Sequence, residues 1–324
     1  KILNKIDELS AIKELQFIDH RIKETLDGDK VIVEIFIDEG PKLFVERINI
    51  VGNNVTNESV IRGEMVVDEG DPFSDLLLNR SVNNLKARNI FGDVKHKVLP
   101  GSTSDTNIIE IEVEEKPTGE IAAGAGVGTE GTSFNFFVTE NNFIGRGVRL
   151  SASLDLSEES VRGGIDITNP NYNYTGNSVS ASLRSTKTDR LDRSGYESTK
   201  TAASLGTSFE QYRDVFISPK IAASYEDVST DSSASTALQK MKGTYSAVDF
   251  GYGITYDKRN QKFQTTDGFI TQFSQSLPLY ADTPSIMNTL TYSKYKAFTE
   301  DVIGSVKFLG QNITTIDSDE DVRI

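Results

Sequence analysis

The chain has 324 residues, a formal net charge of −14, two histidines and no cysteine, so a large domain plus a smaller one fits and disulfide or thiolate chemistry is excluded. No block of Lys or Arg offsets the acidic balance, which argues against a nucleic-acid partner. No apolar run of about 18 residues is present, so no transmembrane helix is expected, but the mean hydropathy of −0.34 leaves a membrane barrel open, because barrel strands alternate and average low.

Residues 1–118 contain a repeat. Phe17-Ile-Asp-His-Arg-Ile-Lys23, a polar turn at Asp27-Gly-Asp29 and the apolar run from Val31 to Pro41 return as Phe91-Gly-Asp-Val-Lys-His-Lys97, a polar loop from Pro100 to Asn107 and the run from Ile108 to Pro117. Ile12, Leu15, Ile18, Ile22 and Leu26 also make a helical stripe. The repeat decides for a helix up to about Leu15 and two paired strands after it. The second copy is complete. Phe44 to Gly52 alternates as a strand. Thr56 is an N-cap candidate for a short helix to about Val66. Asp71-Pro72 breaks the chain, and Ser74 or Asp75 caps a second helix with Leu78, Val82 and Leu85 on one face. Two strands follow. The order β-α-α-β-β predicts an α+β domain with two helices on one face of a three-stranded sheet.

At Glu114-Glu-Lys-Pro-Thr-Gly119 the pattern changes. Pro117 cannot donate a ladder hydrogen bond and Gly119 permits unusual backbone angles, so Pro117, Thr118 and Gly119 read as a hinge. Past it, Ile121, Ala123, Ala125 and Val127 point one way, and Glu120, Ala122, Gly124, Gly126 and Gly128 the other. Gly124-x-Gly126-x-Gly128-x-x-Gly131 has the letters of a dinucleotide loop, but that loop needs a helix directly after it, and Thr132 to Thr139 is β-like.

Alternation then continues almost to the end of the chain. Val148, Leu150, Ala152, Leu154 and Leu156 oppose Arg149, Ser151, Ser153 and Asp155. Val161, Ile165 and Ile167 oppose Arg162 and Asp166, and Val179, Ala181 and Leu183 oppose Ser180, Ser182 and Arg184. Val248, Phe250, Tyr252, Ile254 and Tyr256 oppose Asp249, Gly251, Gly253 and Thr255, and Val302, Gly304, Val306 and Phe308 oppose Ile303, Ser305, Lys307 and Leu309. About eleven such strands are expected, each near the ~9–11 residues of a tilted membrane strand. A soluble sandwich alternates too. Arg and Asp in mid-strand and linkers of alternating length (short at 169–176 and 212–214, long and polar at 185–200 and 226–244) favour an all-β antiparallel transmembrane barrel, incomplete and not closed. Leu290, Tyr292 and Lys294 lose phase against Tyr295 and Ala297, where a bulge is expected. The expected boundaries are 1–41 for the end of one α+β domain, 42–118 for a complete one and 119–324 for the barrel part.

No catalytic, cofactor or metal constellation is visible. His20 and His96 occupy similar points of the two repeats and read as solvated positions. The acidic run Asp317-Ser-Asp-Glu-Asp321 reads as a solvated loop.

Phe44-Val-Glu-Arg-Ile-Asn-Ile-Val-Gly-Asn-Asn-Val-Thr56, Val60-Ile-Arg-Gly-Glu-Met65, Glu69-Gly-Asp-Pro-Phe73 and Val113-Glu-Glu-Lys-Pro-Thr-Gly119 resemble the last POTRA domain of the BamA family of outer-membrane assembly factors, in the superfamily that joins POTRA repeats to a bacterial surface antigen barrel. Glu140-Asn-Asn-Phe-Ile-Gly-Arg-Gly147 resembles that family's first barrel hairpin region, and Tyr256 to Gly268 a turn later in its barrel. The matches follow family order along nearly the whole chain. The resemblance implies POTRA domains (1–118) in the periplasm that receive unfolded outer-membrane proteins, a barrel in outer-membrane lipid that opens laterally, accessory lipoproteins as further partners, and no enzymatic step or cofactor. The glycines place the lateral gate on Ile121, Ala122, Ala123, Gly124, Ala125, Gly126, Val127 and Gly128. Related alternatives are a two-partner secretion transporter and a TamA-type factor; a barrel fused to an upstream lipase and a passive porin stand further off. The chain reads as an internal part of a longer protein. Asp321-Val-Arg-Ile324 is not the family's Val-Arg-Gly-Phe loop, which is expected beyond it.

Overall fold

Apolar residues at every second position can share one face of a pleated sheet, and most of this chain does so. The computed structural model describes residues 18–27, 30–39, 43–128, 131–260, 265–299 and 302–316. The helix expected up to Leu15 and the run 317–321 lie outside them. Two units result: 1–118 together with 144–147, and 119–143 together with 148–324.

In the first unit, β1 (Ile18–Asp27) and β2 (Lys30–Glu39) form the expected antiparallel hairpin, so the strand reading prevails over the helical stripe. Arg21 lies over the Phe36 ring, 5.2 Å from its centroid. After it come β3 (Phe44–Val51), α1 (Glu58–Arg62), α2 (Asp75–Ala87), β4 (Phe91–Pro100) and β5 (Thr106–Glu115). The sheet order is β3-β5-β4, with β3 parallel and β4 antiparallel to β5. Ile48, Ile61, Leu78, Leu85, Ile109 and Ile111 are fully buried between helices and sheet.

Three local expectations are corrected. Helix α1 begins at Glu58, not after a Thr56 cap, and ends at Arg62, well short of Val66; its cap position is Asn57, whose side chain makes no capping bond. The Thr56 N–H is taken up instead by Glu115, as described below. The second helix starts as expected, with the Ser74 hydroxyl accepting from the Leu77 N–H. In β3 the alternation slips: Val45 and Ile48 are both buried, because the register against β5 shifts between Val45 and Arg47, a bulge that turns both residues inward.

The second unit is one sheet of eleven antiparallel strands, neighbours in chain order: β6 (Gly119–Gly128), β7 (Gly131–Phe143), β8 (Val148–Ser157), β9 (Ser160–Asn169), β10 (Ser178–Arg190), β11 (Tyr196–Tyr212), β12 (Val215–Thr230), β13 (Gly243–Asp257), β14 (Asp267–Ala281), β15 (Ser285–Ala297) and β16 (Ile303–Thr315). It does not close; β6 and β16 are its edges. Register carries the apolar sets onto one face. Val138 pairs with Ala152, Ala152 with Ile165, Ile165 with Leu183, Leu183 with Ala203, Ala203 with Ala223 and Ala223 with Val248. Phe273 then pairs with Ile254 and Leu290, and Tyr292 with Phe308. The other face carries the charges, with Arg184 on Asp166 at 3.0 Å and Lys200 near Glu226 at 3.5 Å.

This unit also departs from expectation in three ways. Strands run from 10 to 17 residues, because the polar segments 185–200 and 226–244 begin and end as ladder: Ser185 pairs with Thr201 and Asp227 with Thr244. Alternating Ser and Thr suit a strand whichever solvent they face. The connections hold short helical turns at Tyr172–Tyr174, Leu191–Ser194 and Thr236–Lys240. No bulge interrupts β15 against β14 or β16, so Lys294 stays on the apolar face with Leu290 and Tyr292.

The core of residues 43–118 belongs to that domain alone, which makes it testable in solution. Leu78→Ala should cost about 2–5 kcal/mol, read as a lowered urea midpoint of the soluble domain. Val98→Ala, at a position 38% exposed, should cost less than about 1 kcal/mol.

Candidate functional site

The expected gate residues form strand β6, at the rim of the sheet. Its one neighbour is β7, in register from Gly119 opposite Glu140 to Gly128 opposite Gly131. Every β6 residue is exposed, with Ile121 at 81% and Val127 at 87%, against 36% for Val179 on β10. A strand with one neighbour leaves a row of N–H and C=O groups without ladder partners. No helix follows the glycines; β7 does, so the dinucleotide reading is excluded by the context it requires.

The two faces of β6 differ as the alternation predicts. Ile121, Ala123 and Ala125 lie opposite Val138, Phe136 and Phe134 on the apolar face, and Gly124 and Gly126 lie opposite Asn135 and Ser133 on the polar one. A methyl on Gly124 would meet the Asn135 Oδ1 at 2.2 Å, one on Gly126 only the Ser133 hydroxyl at 3.4 Å, and one on Gly128 nothing. The glycines are therefore replaceable in space once the Asn135 side chain turns away. What they withhold from β6 is packing area and conformational restriction.

The expected hinge residues Pro117, Thr118 and Gly119 span the boundary between the two units along the chain. Gly119 does not use glycine's left-handed freedom; it is an ordinary ladder residue opposite Glu140. The chain just ahead of Pro117 is anchored by two side chains whose role sequence reasoning missed. The Glu115 carboxylate accepts the backbone N–H groups of Asn54, Val55 and Thr56 at 2.9, 2.9 and 2.6 Å. Lys116 donates to the Asn89 side-chain oxygen at 2.7 Å. Burial pushes the Glu115 carboxyl up, but the hydrogen bonds from Thr56, Val55 and Asn54 together outweigh it and hold it below the usual carboxylate range. The only sequence signal was an acidic residue closing an alternating strand just ahead of a proline.

The first unit also takes in Ile144–Gly147. The Asn57 N–H donates to the Gly145 carbonyl at 2.9 Å, and Arg88 to the Gly147 carbonyl at 2.6 Å. Arg88 faces Glu64 at 3.4 Å, with both side chains nearly buried. Gly145 and Gly147 have φ of +66° and +63°, and a methyl on Gly145 would meet the Val55 carbonyl at 2.1 Å. This turn needs glycine both for its backbone angle and for close approach. His20 and His96 sit on separate sheets, in β1 and β4. Among the described residues no group of metal-ligating side chains converges.

Comparison with known proteins follows the same division. The model of the Omp85 superfamily domain matches residues 119–323, and the POTRA model, a surface antigen variable number repeat, matches residues 43–116. The chain is 27% identical over 147 residues to the outer membrane protein assembly factor BamA of Neisseria meningitidis, which is 45% of this chain and 18% of that relative's length. Two solved structures share the fold. BamA from Haemophilus ducreyi lacking POTRA domains 1–3 superposes with a TM-score of 0.66 at 20% identity, over 94% of this chain and 64% of that one. CdiB from Acinetobacter baumannii superposes with a TM-score of 0.57 at 11% identity, over 95% and 59%.

Glu115→Gln keeps the shape and removes the charge that the three N–H groups face. It should cost the soluble domain roughly 1–3 kcal/mol at neutral pH. Because the folded-state carboxyl is lowered, its contribution is full above the ordinary carboxylate range and disappears as pH falls through the folded value. The stability gap between wild type and Glu115→Gln should therefore narrow on acidification, checked by urea titration along a pH series.

Proposed function

The chain belongs to the Omp85 superfamily, and on that footing we propose that it is part of a machine that folds β-barrel proteins into the bacterial outer membrane. Residues 1–118 lie in the periplasm and receive unfolded outer-membrane proteins, and the apolar face of the eleven-stranded sheet meets lipid. Residues 1–41 end a further POTRA domain, consistent with a β1–β2 hairpin that repeats the β4–β5 pattern. The matches to assembly factors named BamA support the assembly reading over secretion, since the likeness to CdiB rests on fold alone.

What supports this mechanism is the place and composition of β6, the first strand of the sheet, with β7 as its neighbour and glycine on its polar face. An extended substrate segment can satisfy the other edge of β6 by main-chain hydrogen bonds whatever its side chains, which is β-augmentation. Broad substrate range follows without a side-chain pocket. The glycine-bearing face makes β6 a weak closing strand, and its pairing across the seam yields to an incoming strand. Pro117 to Gly119 give the hinge, with Glu115 and Lys116 fixing the chain ahead of it. No chemical step or nucleotide is needed; folding and burial of the substrate drive the reaction.

The test is made in the full-length protein. Photo-crosslinkers at Ala123 and Ala125 are expected to capture the C-terminal strand of a nascent outer-membrane protein, and one at Leu183 in mid-sheet is not. Gly124→Val together with Gly126→Val should slow substrate assembly while the barrel itself stays folded. Crosslinks no stronger than at Leu183, with assembly at the normal rate in the valine variant, would overturn the gate assignment.

A further inference from the structure

Lys294 is a cation on the apolar face, and the register around it is graded. At the end of the sheet where β13 turns into β14 and β15 into β16, the Lys258 N–H donates to the Phe269 carbonyl at 2.8 Å, Phe269 pairs with Lys294 and Lys294 with Val306. One row inward come Tyr256, Thr271, Tyr292 and Phe308, and one further Ile254, Phe273 and Leu290. Side chains of these rows share a face because their residues pair directly. The rings touch: Tyr256 meets Phe269 edge-on at 5.5 Å, and Phe269 lies 6.0 Å from Tyr292. The Lys258 ammonium sits 5.7 Å from the Tyr256 ring centroid. Lysine, then tyrosine, then aliphatic is the order in which side chains cross from headgroups into hydrocarbon.

Ion pairs take up the other cations at this end. Arg213, 72% exposed on its side chain, and Lys258 share Asp214, while Lys296 pairs with Asp267 at 3.2 Å and Arg259 with Asp257 at 2.7 Å. Among the described residues Lys294 makes no ion pair. A lysine on a lipid-facing surface is costly unless its ammonium reaches the interface and finds an anion. Lys258 and Lys294 lie two strands apart with Phe269 between them, about 9.6 Å at the backbone, so both ammoniums can reach one phosphate while the three rings lie along its acyl chains.

We infer that Lys258, Lys294, Tyr256, Phe269 and Tyr292 form a binding site for the phosphate headgroup of an anionic phospholipid in the membrane leaflet at the hinge end of the sheet. Arg213 adds a long-range attraction. The site rests on the proposed reading that this face meets lipid. It fixes the depth of the sheet on the side away from β6, so that the β6 seam can open without the barrel tilting out of register with the bilayer.

The experiment uses full-length protein in vesicles of phosphatidylcholine and phosphatidylglycerol at four to one, with flotation to score insertion and native mass spectrometry to count retained lipids. Wild type should float and retain phosphatidylglycerol over phosphatidylcholine. Lys258→Gln with Lys294→Gln should float equally and lose roughly fivefold or more of that preference. A control, Lys240→Gln with Lys242→Gln at the opposite end, removes the same charge and should keep the preference. Equal preference in wild type and the Lys258/Lys294 variant, or equal loss in the control, overturns the site while leaving the membrane reading intact. Wild type that does not float overturns the membrane reading and the site with it.

Discussion

A backbone group without a hydrogen-bond partner costs several kcal/mol in hydrocarbon, and the rim of a sheet carries a row of them. This constraint organises the second unit. Interior strands from β7 to β15 are paired on both sides; β6 and β16 are each paired on one. Even a few unpaired groups would exceed the roughly 5–15 kcal/mol that holds a typical domain folded. In lipid, then, β6 must be paired, and the question is only with what. On the proposed gate reading its glycines set how readily the partner changes. Each glycine weakens a strand interior by about 0.5–1 kcal/mol relative to alanine, so Gly124, Gly126 and Gly128 together remain a small fraction of the pairing energy. On the proposed gate reading they bias the seam toward exchange without leaving it open.

The same constraint explains the contrast between the units. Residues 43–118 bury Ile48, Ile61, Leu78, Leu85, Ile109 and Ile111 against one another, and their stability comes from a core. The eleven-stranded sheet has almost no buried apolar side chains among the described residues; Val228 and Ala234 are the exceptions. Its order comes from the ladder and from whatever covers its apolar face. Glu115 and Lys116 bind the end of β5 to the first kind of structure just before Pro117, so the change from core-stabilised to ladder-stabilised chain takes place within three residues.

Much of this could be read from the amino acids alone. Period-two alternation gave the count of about eleven strands and put the apolar sets it named on one face, because a side chain can occupy only one of two sides. Alternation could not give strand ends: Ser185 to Arg190 and Glu226 to Thr230 have loop composition, yet continue the ladder because hydroxyl side chains tolerate either setting. It also favoured a bulge in β15, since a lysine beside Leu290 and Tyr292 looks like a lost phase. The register is unbroken, and Lys294 is in phase on the apolar face. The Thr56 cap failed because both its hydroxyl and its N–H turn to Glu115, distant in sequence, rather than its hydroxyl turning to the first turn of the helix. Long-range hydrogen bonds of this kind leave no periodic trace.

The most direct measurement is amide hydrogen exchange of the full-length protein in lipid bilayers, resolved along β6 and β10. Pairing across a seam that exchanges partners opens more often than pairing in mid-sheet. The amides of Ile121 to Val127 should therefore exchange roughly tenfold or more faster than those of Val179 to Leu183, and slow when an unfolded outer-membrane protein is bound. Equal protection of the two strands, unchanged by substrate, would contradict the account.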